Sequence, residues 1–331
     1  MSRWNPNGPR AACSDDTPGT TPLAPRAAPV GGGLHPAIRQ SARKLSKLGA
    51  AMPDWSGTIV GRARFYRKRE AGKGGVELTR RDVTYPPLDC PKPVAADLWI
   101  VDSGPITVAV MHLPVRMTVL RLEDGGLLLH SPTPFSSELL TALERLGPVR
   151  HLLAPSYAHW MFVADWQRAC PAATVWAAPG LARRRQVRES GLRIDGELGP
   201  DRPRPWGEAI EVSIVPGGGG FREAALFHRP SGTLVLTDLI VSLARSKLPF
   251  LQRLAARAIG SLAPDGKAPL YLRLLIGLRR RQARRAAERL VAFAPERVIF
   301  AHGEWFEREG QARLRRSLRW LLDQPGSPVR S

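Results

Sequence analysis

Four apolar runs of this chain, each with the composition of a short β-strand, lead into a histidine or an aspartate. They are the run 149–154 ahead of His159, the run 224–227 ending at His228, the run 233–237 ending at Asp238, and the run 297–301 ending at His302. In layered α/β proteins, ligands and catalytic groups gather in the loops that leave the strands. We therefore expect an α/β fold in which these four side chains line one shared pocket.

The pattern around these runs also indicates layers of strands and helices. Residues 98–101 predict a short buried strand, and the β-rich segments 116–122 and 127–130 flank an acidic Gly-Gly turn, which predicts a hairpin. Residues 136–146 predict a helix, because serines can cap it and its leucines share one face. Helical spacing then dominates after residue 250. This order of elements predicts one α/β domain over residues 93–325.

The N-terminal part of the chain has a different composition. Residues 1–33 are rich in Pro, Gly, Ala and Thr and have no apolar period, so we predict a disordered or weakly helical tail over 1–45. Residues 34–49 place apolar side chains roughly on one helical face, beside basic ones. Such a segment suits either peripheral contact with an anionic membrane or loose packing on the domain. Residues 46–92 predict a basic linker or an edge extension.

The charge balance is strongly basic, with 49 Lys plus Arg against 29 Asp plus Glu and a formal net charge of +20. Such an excess suits binding to nucleic acid or to a membrane surface. The excess is mostly arginine scattered over the whole chain, however, as in a coding sequence biased toward arginine codons. We therefore do not expect a nucleic-acid partner, and we expect a small-molecule substrate or ligand whose identity the sequence leaves open.

Cysteine usage and hydropathy indicate the compartment. Cys13, Cys90 and Cys170 are too few and too far apart for a disulfide framework or a zinc knuckle. No apolar run approaches 18 residues, so no transmembrane helix is predicted. We expect a cytoplasmic protein.

The four residues at the strand ends are candidate metal ligands, because imidazole and carboxylate together suit Zn, Fe or Mn. Each also has a structural explanation, since a histidine at a strand end is often only hydrogen-bonded and Asp238 could cap the following helix. His302 precedes Gly303, which lets the backbone turn tightly enough for the imidazole to face a cavity. Ser131 also follows a strand but lacks the GxSxG elbow of serine hydrolases, so no catalytic residue is assigned.

Several stretches resemble an uncharacterised family, a domain of unknown function within the metallo-β-lactamase superfamily. They are "RMTVLRLEDGGLLLHSPTP", "GPVRHLLAPSYAHW", "FHRPSGTLVLTDLI" and "RVIFAHGE". The resemblance covers about residues 93–325. It implies an αββα four-layer sandwich, with a one- or two-metal site on one edge and a metal-activated water as nucleophile.

The chain departs from the superfamily in its ligand loops. The superfamily's HxHxDH loop corresponds here to residues 154–160, which keep only His159, and its Gly-His turn corresponds to residues 216–219, which have no histidine. Asp238 matches the bridging carboxylate and His302 the final histidine, whereas His228 has no counterpart among the usual ligands. The resemblance thus implies one metal, bound by Asp238, His302 and one or both of His228 and His159.

Two functions follow from this reduced ligand set. The first is a metal-dependent hydrolase-like protein with a single-metal site and an unknown substrate. The alternative is a non-catalytic module that kept the fold, lost the metals and binds a ligand or partner, since fold alone does not settle function. In either case a buried Asp238 needs a cation or hydrogen-bond donors to offset its desolvation, and a divalent metal or a protonated histidine meets that need.

Overall fold

The computed structural model describes residues 64–65, 83–108, 111–199 and 206–323 of the 331. The tail predicted over 1–45, the amphipathic segment 34–49 and most of the segment 46–92 lie outside the described residues. Within the described part, none of the helices combines the length and the apolar character needed to cross a bilayer.

Twelve described strands form two sheets. The first sheet has the order β1-β3-β4-β5-β6-β7-β8 with β2 also paired to β3, and the second has the order β12-β11-β10-β9. The strands are β1 Arg64–Phe65, β2 Lys92–Ala95, β3 Leu98–Val108, β4 Met111–Arg121, β5 Leu127–His130, β6 Val149–Ala154, β7 Thr174–Ala177, β8 Gly196–Glu197, β9 Ile210–Pro216, β10 Arg222–His228, β11 Thr233–Val235 and β12 Arg297–Ile299.

The helices follow the β-hairpin formed by β4 and β5 and become dense toward the C-terminus. They are α1 Ser137–Glu144, α2 Val163–Ala169, α3 Arg185–Glu189, α4 Phe250–Ile259, α5 Leu270–Gly277, α6 Arg280–Ala292, α7 Gly310–Ser317 and α8 Arg319–Leu322. The predicted serine cap of the first helix is confirmed, because the Leu139 N–H donates to the Ser136 hydroxyl at 3.1 Å.

The alternation of side chains along the strands separates the molecule into four layers. In β5, Leu127 and Leu129 pack with α1 and α2 on the outer face of the first sheet, whereas Leu128 points the other way into the space between the sheets. Leu226 and Val235 enter the same space from the second sheet. The other faces of β10 and β11 pack against the C-terminal helices α5 to α8. The predicted αββα sandwich is therefore confirmed.

Strand β3 is longer than the sequence pattern predicted, since it continues past the apolar run 98–101 to Val108. The expected end lay at Asp102, a residue that rarely occupies a strand interior. This carboxylate is buried between Arg116 of β4, whose Nη2 lies 2.7 Å from it, and Lys92 of β2. Because the charge of Asp102 is paired within the sheet, the strand can continue past this residue.

Arg116 also connects the two sheets near the pocket edge. Its Nη1 donates to the carbonyl of Phe300 at 3.1 Å and to that of Gly303 at 2.8 Å. Both carbonyls belong to the loop that leaves β12 and carries His302. The buried guanidinium therefore fixes this loop against β4.

Candidate metal centre

Three of the four predicted ligands meet at one edge of the sandwich. The Nε2 of His159 lies 3.2 Å from Oδ2 of Asp238, and the Nε2 of His302 lies 3.4 Å from Oδ1 of the same carboxylate. One ligand atom from each of the three residues lies within 4.8 Å of the others. The sequence expectation of a shared pocket is met by these three residues.

The strand directions explain why Asp238 and His302 are neighbours. Strands β11 and β12 are parallel, with Leu234 opposite Val298, so their carboxyl ends reach the same edge. Asp238 follows β11 and His302 follows β12. His159 arrives at this edge from the loop after β6 of the first sheet.

His228 lies at the opposite end of the second sheet. Strands β10 and β11 are antiparallel, and His228 at the end of β10 pairs with Thr233 at the start of β11. The carboxyl ends of two neighbouring antiparallel strands lie at opposite edges of the sheet. This geometry corrects the expectation that all four side chains converge. His228 is buried, its Nδ1 lies 2.8 Å from the Ser231 hydroxyl, and burial lowers its pKa.

Hydrogen bonds on the far side of each ring hold the two imidazoles in place. The Nδ1 of His302 lies 2.7 Å from the Pro114 carbonyl, which can only accept, so this nitrogen carries a proton. The Nδ1 of His159 lies 2.7 Å from the Ser131 hydroxyl. Ser131 has a left-handed backbone (φ 55°), a conformation uncommon outside glycine. Oriented imidazoles of this kind are typical of metal-binding histidines.

Asp238 is buried and charged. Burial by itself would raise its pKa, but the charges and hydrogen bonds of His159 and His302 outweigh burial and lower the pKa below its usual value. The carboxylate is therefore ionised at neutral pH and requires positive charge beside it.

Glu223 holds the backbone that carries Asp238, and the sequence analysis did not find it. Its Oε1 accepts the N–H of Thr237 at 2.7 Å, and its Oε2 accepts those of Asp238 and Leu239 at 3.1 and 3.0 Å. Burial, followed by the charge of Asp238, raises the pKa of Glu223 to about 7. The available signal was an acidic residue at the start of an otherwise apolar strand.

Gly303 makes the close approach that places His302. Its φ is +96°, and a Cβ at this position would lie 1.9 Å from the Ser242 carbonyl oxygen. At the same contact, the Ser242 N–H donates a hydrogen bond to the His302 carbonyl at 3.2 Å. Only glycine fits this close approach, which explains why a glycine follows the inward-facing imidazole of His302.

A cavity of about 80 Å³ adjoins the three side chains. Its wall is mainly apolar and includes Ile106, Leu113, Met161 and Phe162, while Tyr271 lines it from α5. Partial burial of this half-exposed side chain, then the charges of Asp238 and Glu223, raises the pKa of Tyr271 above its ordinary value, so its hydroxyl remains protonated at neutral pH.

The donor set fits a divalent metal. Because the Nδ1 of His302 is protonated, a neutral ring would direct its Nε2 lone pair at a carboxylate oxygen 3.4 Å away, which is repulsive. Either a second proton, which gives the charged ring that lowers the pKa of Asp238, or a metal must therefore lie between them. Two ligands bound at ~2.0–2.1 Å to one tetrahedral zinc lie roughly 3.3 Å apart. The separations of Asp238 from the two imidazoles, each to a different carboxylate oxygen, agree with that spacing for a carboxylate that binds the ion through both oxygens.

The four layers, with a His-Asp-His group at one edge, define the metallo-β-lactamase fold class. The chain belongs to the family described as a domain of unknown function (DUF4336), whose model matches residues 96–268. That match includes His159 and Asp238 and ends before His302.

Solved structures similar to this chain include several metallo-β-lactamases. One from Pontibacter korlensis is 18% identical, with a TM-score of 0.49, and the alignment covers 71% of this chain and 99% of that one. One from Hirschia baltica is 14% identical, with a TM-score of 0.48 and coverages of 69% and 95%. FIM-1 from Pseudomonas aeruginosa, in its mono-zinc form, is 13% identical, with a TM-score of 0.46 and coverages of 69% and 92%. None of the curated proteins matches this chain.

Replacing Gly303 with alanine should displace the loop that carries His302. The new methyl group would overlap the Ser242 carbonyl in a strained backbone, so we expect Gly303→Ala to lower the free energy of unfolding by at least about 2 kcal/mol. Gly125→Ala is the matched control, since Gly125 also has a positive φ (+78°) but nothing within 4 Å of a Cβ, and should lose only about 1–2 kcal/mol from backbone strain. Equal losses in urea unfolding would contradict the steric role of Gly303.

Replacing Glu223 with glutamine tests its hold on the Asp238 loop. An amide group offers one accepting oxygen in place of two, so at least one of the three buried N–H groups loses its acceptor. We expect Glu223→Gln to cost about 1–3 kcal/mol in thermal or urea unfolding. Glu208→Gln, at an exposed position, should change nothing measurable. If Glu223→Gln were as stable as wild type, the proposed role of Glu223 in holding the Asp238 loop would be wrong.

Proposed function

We propose that this chain is a metal-dependent hydrolase-like protein that holds one divalent cation between His159, Asp238 and His302. The observation that carries the proposal is the contact between His302 and Asp238. The Pro114 carbonyl fixes the proton on Nδ1 of His302, and Nε2 then faces an ionised carboxylate oxygen at 3.4 Å. A cation at this point relieves that contact and also offsets the burial of Asp238.

Two histidines and one carboxylate leave further coordination positions for water or substrate, as in catalytic rather than structural sites. This set suits zinc, and it also suits iron or manganese. A metal bound there would supply Lewis-acid activation of an ester, amide or phosphoester bond and would lower the pKa of water.

The surrounding residues would bind and orient the reacting group. Ser131 holds the ring of His159, and Pro114 holds that of His302. Tyr271 lines the cavity and keeps its proton at neutral pH, so it can donate a hydrogen bond to a substrate oxygen. A volume of about 80 Å³ is well below the roughly 300–1,000 Å³ of pockets that enclose a whole drug-sized ligand. Only the reacting group of a larger substrate would therefore enter.

Metal analysis of the purified protein and its variants tests the proposal. Wild type should bind about one equivalent of zinc, iron or manganese, and Asp238→Asn, His159→Ala and His302→Ala should each lower the affinity at least roughly tenfold to a hundredfold. His228→Ala is the matched control, since it removes a buried histidine at the other end of the sheet and should leave metal content unchanged.

Chelation separates this function from that of a metal-free binding module. A metal at about 100 times its Kd stabilises the folded protein by about 2.7 kcal/mol, which for a domain of this size raises Tm by roughly 5–10 °C. Chelator should therefore lower the Tm of wild type by that amount and leave the Tm of Asp238→Asn unchanged. An unchanged wild-type Tm together with no bound metal would contradict the proposal and would favour the module, with a protonated histidine as the cation.

A further inference from the structure

Helices α4 and α5 carry large apolar side chains that remain exposed in the part of the chain that the structure describes. Phe250, Leu251 and Leu254 of α4 are 74%, 76% and 58% exposed, and Leu274 of α5 is 66% exposed. The remaining exposed large apolar side chains of this region are Leu270, Tyr271 and Leu278. Together these seven residues form what we term the α4–α5 face.

The spacing within each helix places its exposed apolar side chains on one side of that helix. Both helices begin after a proline, and the exposed positions fall at the first, second and fifth residues of each. Positions separated by three or four residues lie on the same side of a helix. The guanidinium of Arg273 in α5 donates to the carbonyl of Ile259 at the end of α4 at 3.2 Å, and this bond links α5 to the end of α4.

The segment around this face is strongly cationic. Between Arg245 and Arg281 the sequence contains nine Lys or Arg and a single acidic residue, Asp265. That carboxylate forms ion pairs with Arg313 and Arg316 of α7, which lie outside the segment. Exposed Arg257 lies three residues after Leu254, on the apolar side of α4 itself.

We propose that the α4–α5 face docks the protein on an anionic lipid surface. Helices with Leu and Phe on one side, arginine beside them and almost no acidic residues insert their apolar side into the headgroup boundary, while the cations contact lipid phosphates. Side chains that stand more than half exposed on their own helix are free to enter that boundary. A lipid surface also needs no complementary shape.

A second copy of this chain fits the face less well. A two-fold symmetric contact brings the same patch of both subunits together. It would bring two copies of the cationic patch around Arg257 together, and like charges across an interface cost several kcal/mol. The charge therefore favours a surface of opposite sign.

Tyr271 connects this surface to the cavity, because it belongs to the face and also lines the cavity beside Asp238 and His302. Docking would bring the cavity mouth to the lipid boundary, where amphiphilic molecules concentrate. The docking itself does not depend on bound metal and would hold even if the proposed hydrolase function fails.

Vesicle co-sedimentation of the full chain tests the proposal. The protein should bind phosphatidylcholine vesicles that contain phosphatidylglycerol and should bind pure phosphatidylcholine vesicles far less. Chelator should not change its binding to the anionic vesicles. Leu251→Glu and Leu274→Glu should each weaken binding by roughly tenfold or more, since each removes an exposed leucine that would enter the lipid and adds a charge that the anionic surface repels. Ala312→Glu is the control for charge, at an exposed position of α7 outside the face, and should bind nearly as wild type.

A second measurement locates the inserted surface. A polarity-sensitive fluorophore on Leu251→Cys, in a chain whose Cys13, Cys90 and Cys170 are replaced by serine, should brighten and shift to the blue on anionic vesicles. The same fluorophore on Ala312→Cys in the same background should not. Wild-type binding by both leucine variants, or a silent probe at position 251, would overturn the proposal. So would a dimer in solution that the leucine variants dissociate without any vesicle binding, because that result assigns the face to a second copy.

Discussion

A buried carboxylate that faces two imidazole nitrogens sets the main electrostatic requirement of this protein. Asp238 lies within 3.2 and 3.4 Å of His159 and His302, and the proton of His302 is fixed on the nitrogen that points away. Such an arrangement is stable only with a cation at its centre. The cation can be a metal or a proton, and the separations suit the ligands of one metal.

The surrounding fold supplies the rigidity that this contact requires. Glu223 binds three consecutive backbone N–H groups of the Asp238 loop, and Gly303 brings the His302 loop against Ser242 at a distance that no side chain would allow. Arg116, itself paired with Asp102, holds the same loop to the first sheet. Each supporting residue comes from a different strand or loop, so the centre forms only when both sheets have packed.

Much of the fold was accessible from the sequence because strand patterns and turn residues are local signals. The β4–β5 hairpin, the serine-capped α1 and the αββα layers all followed from apolar periodicity or from the family resemblance. The convergence of side chains depends on strand direction, which is a nonlocal property. Asp238 and His302 follow parallel neighbours and meet, whereas His228 ends a strand antiparallel to β11 and lies at the far edge. Glu223 and the length of β3 were missed because both depend on buried charges whose partners are distant in sequence.

X-ray absorption at the zinc edge of the zinc-loaded protein tests the shared centre most directly, because it reports the ligands of the ion itself. The account predicts a first shell of nitrogen and oxygen at ~2.0–2.2 Å, without sulfur, and outer-shell scattering from two imidazole rings. In His159→Ala one ring should be lost, and in His228→Ala both should remain. A first shell containing sulfur, or an imidazole signal unchanged by His159→Ala and His302→Ala, would contradict the assignment of this centre.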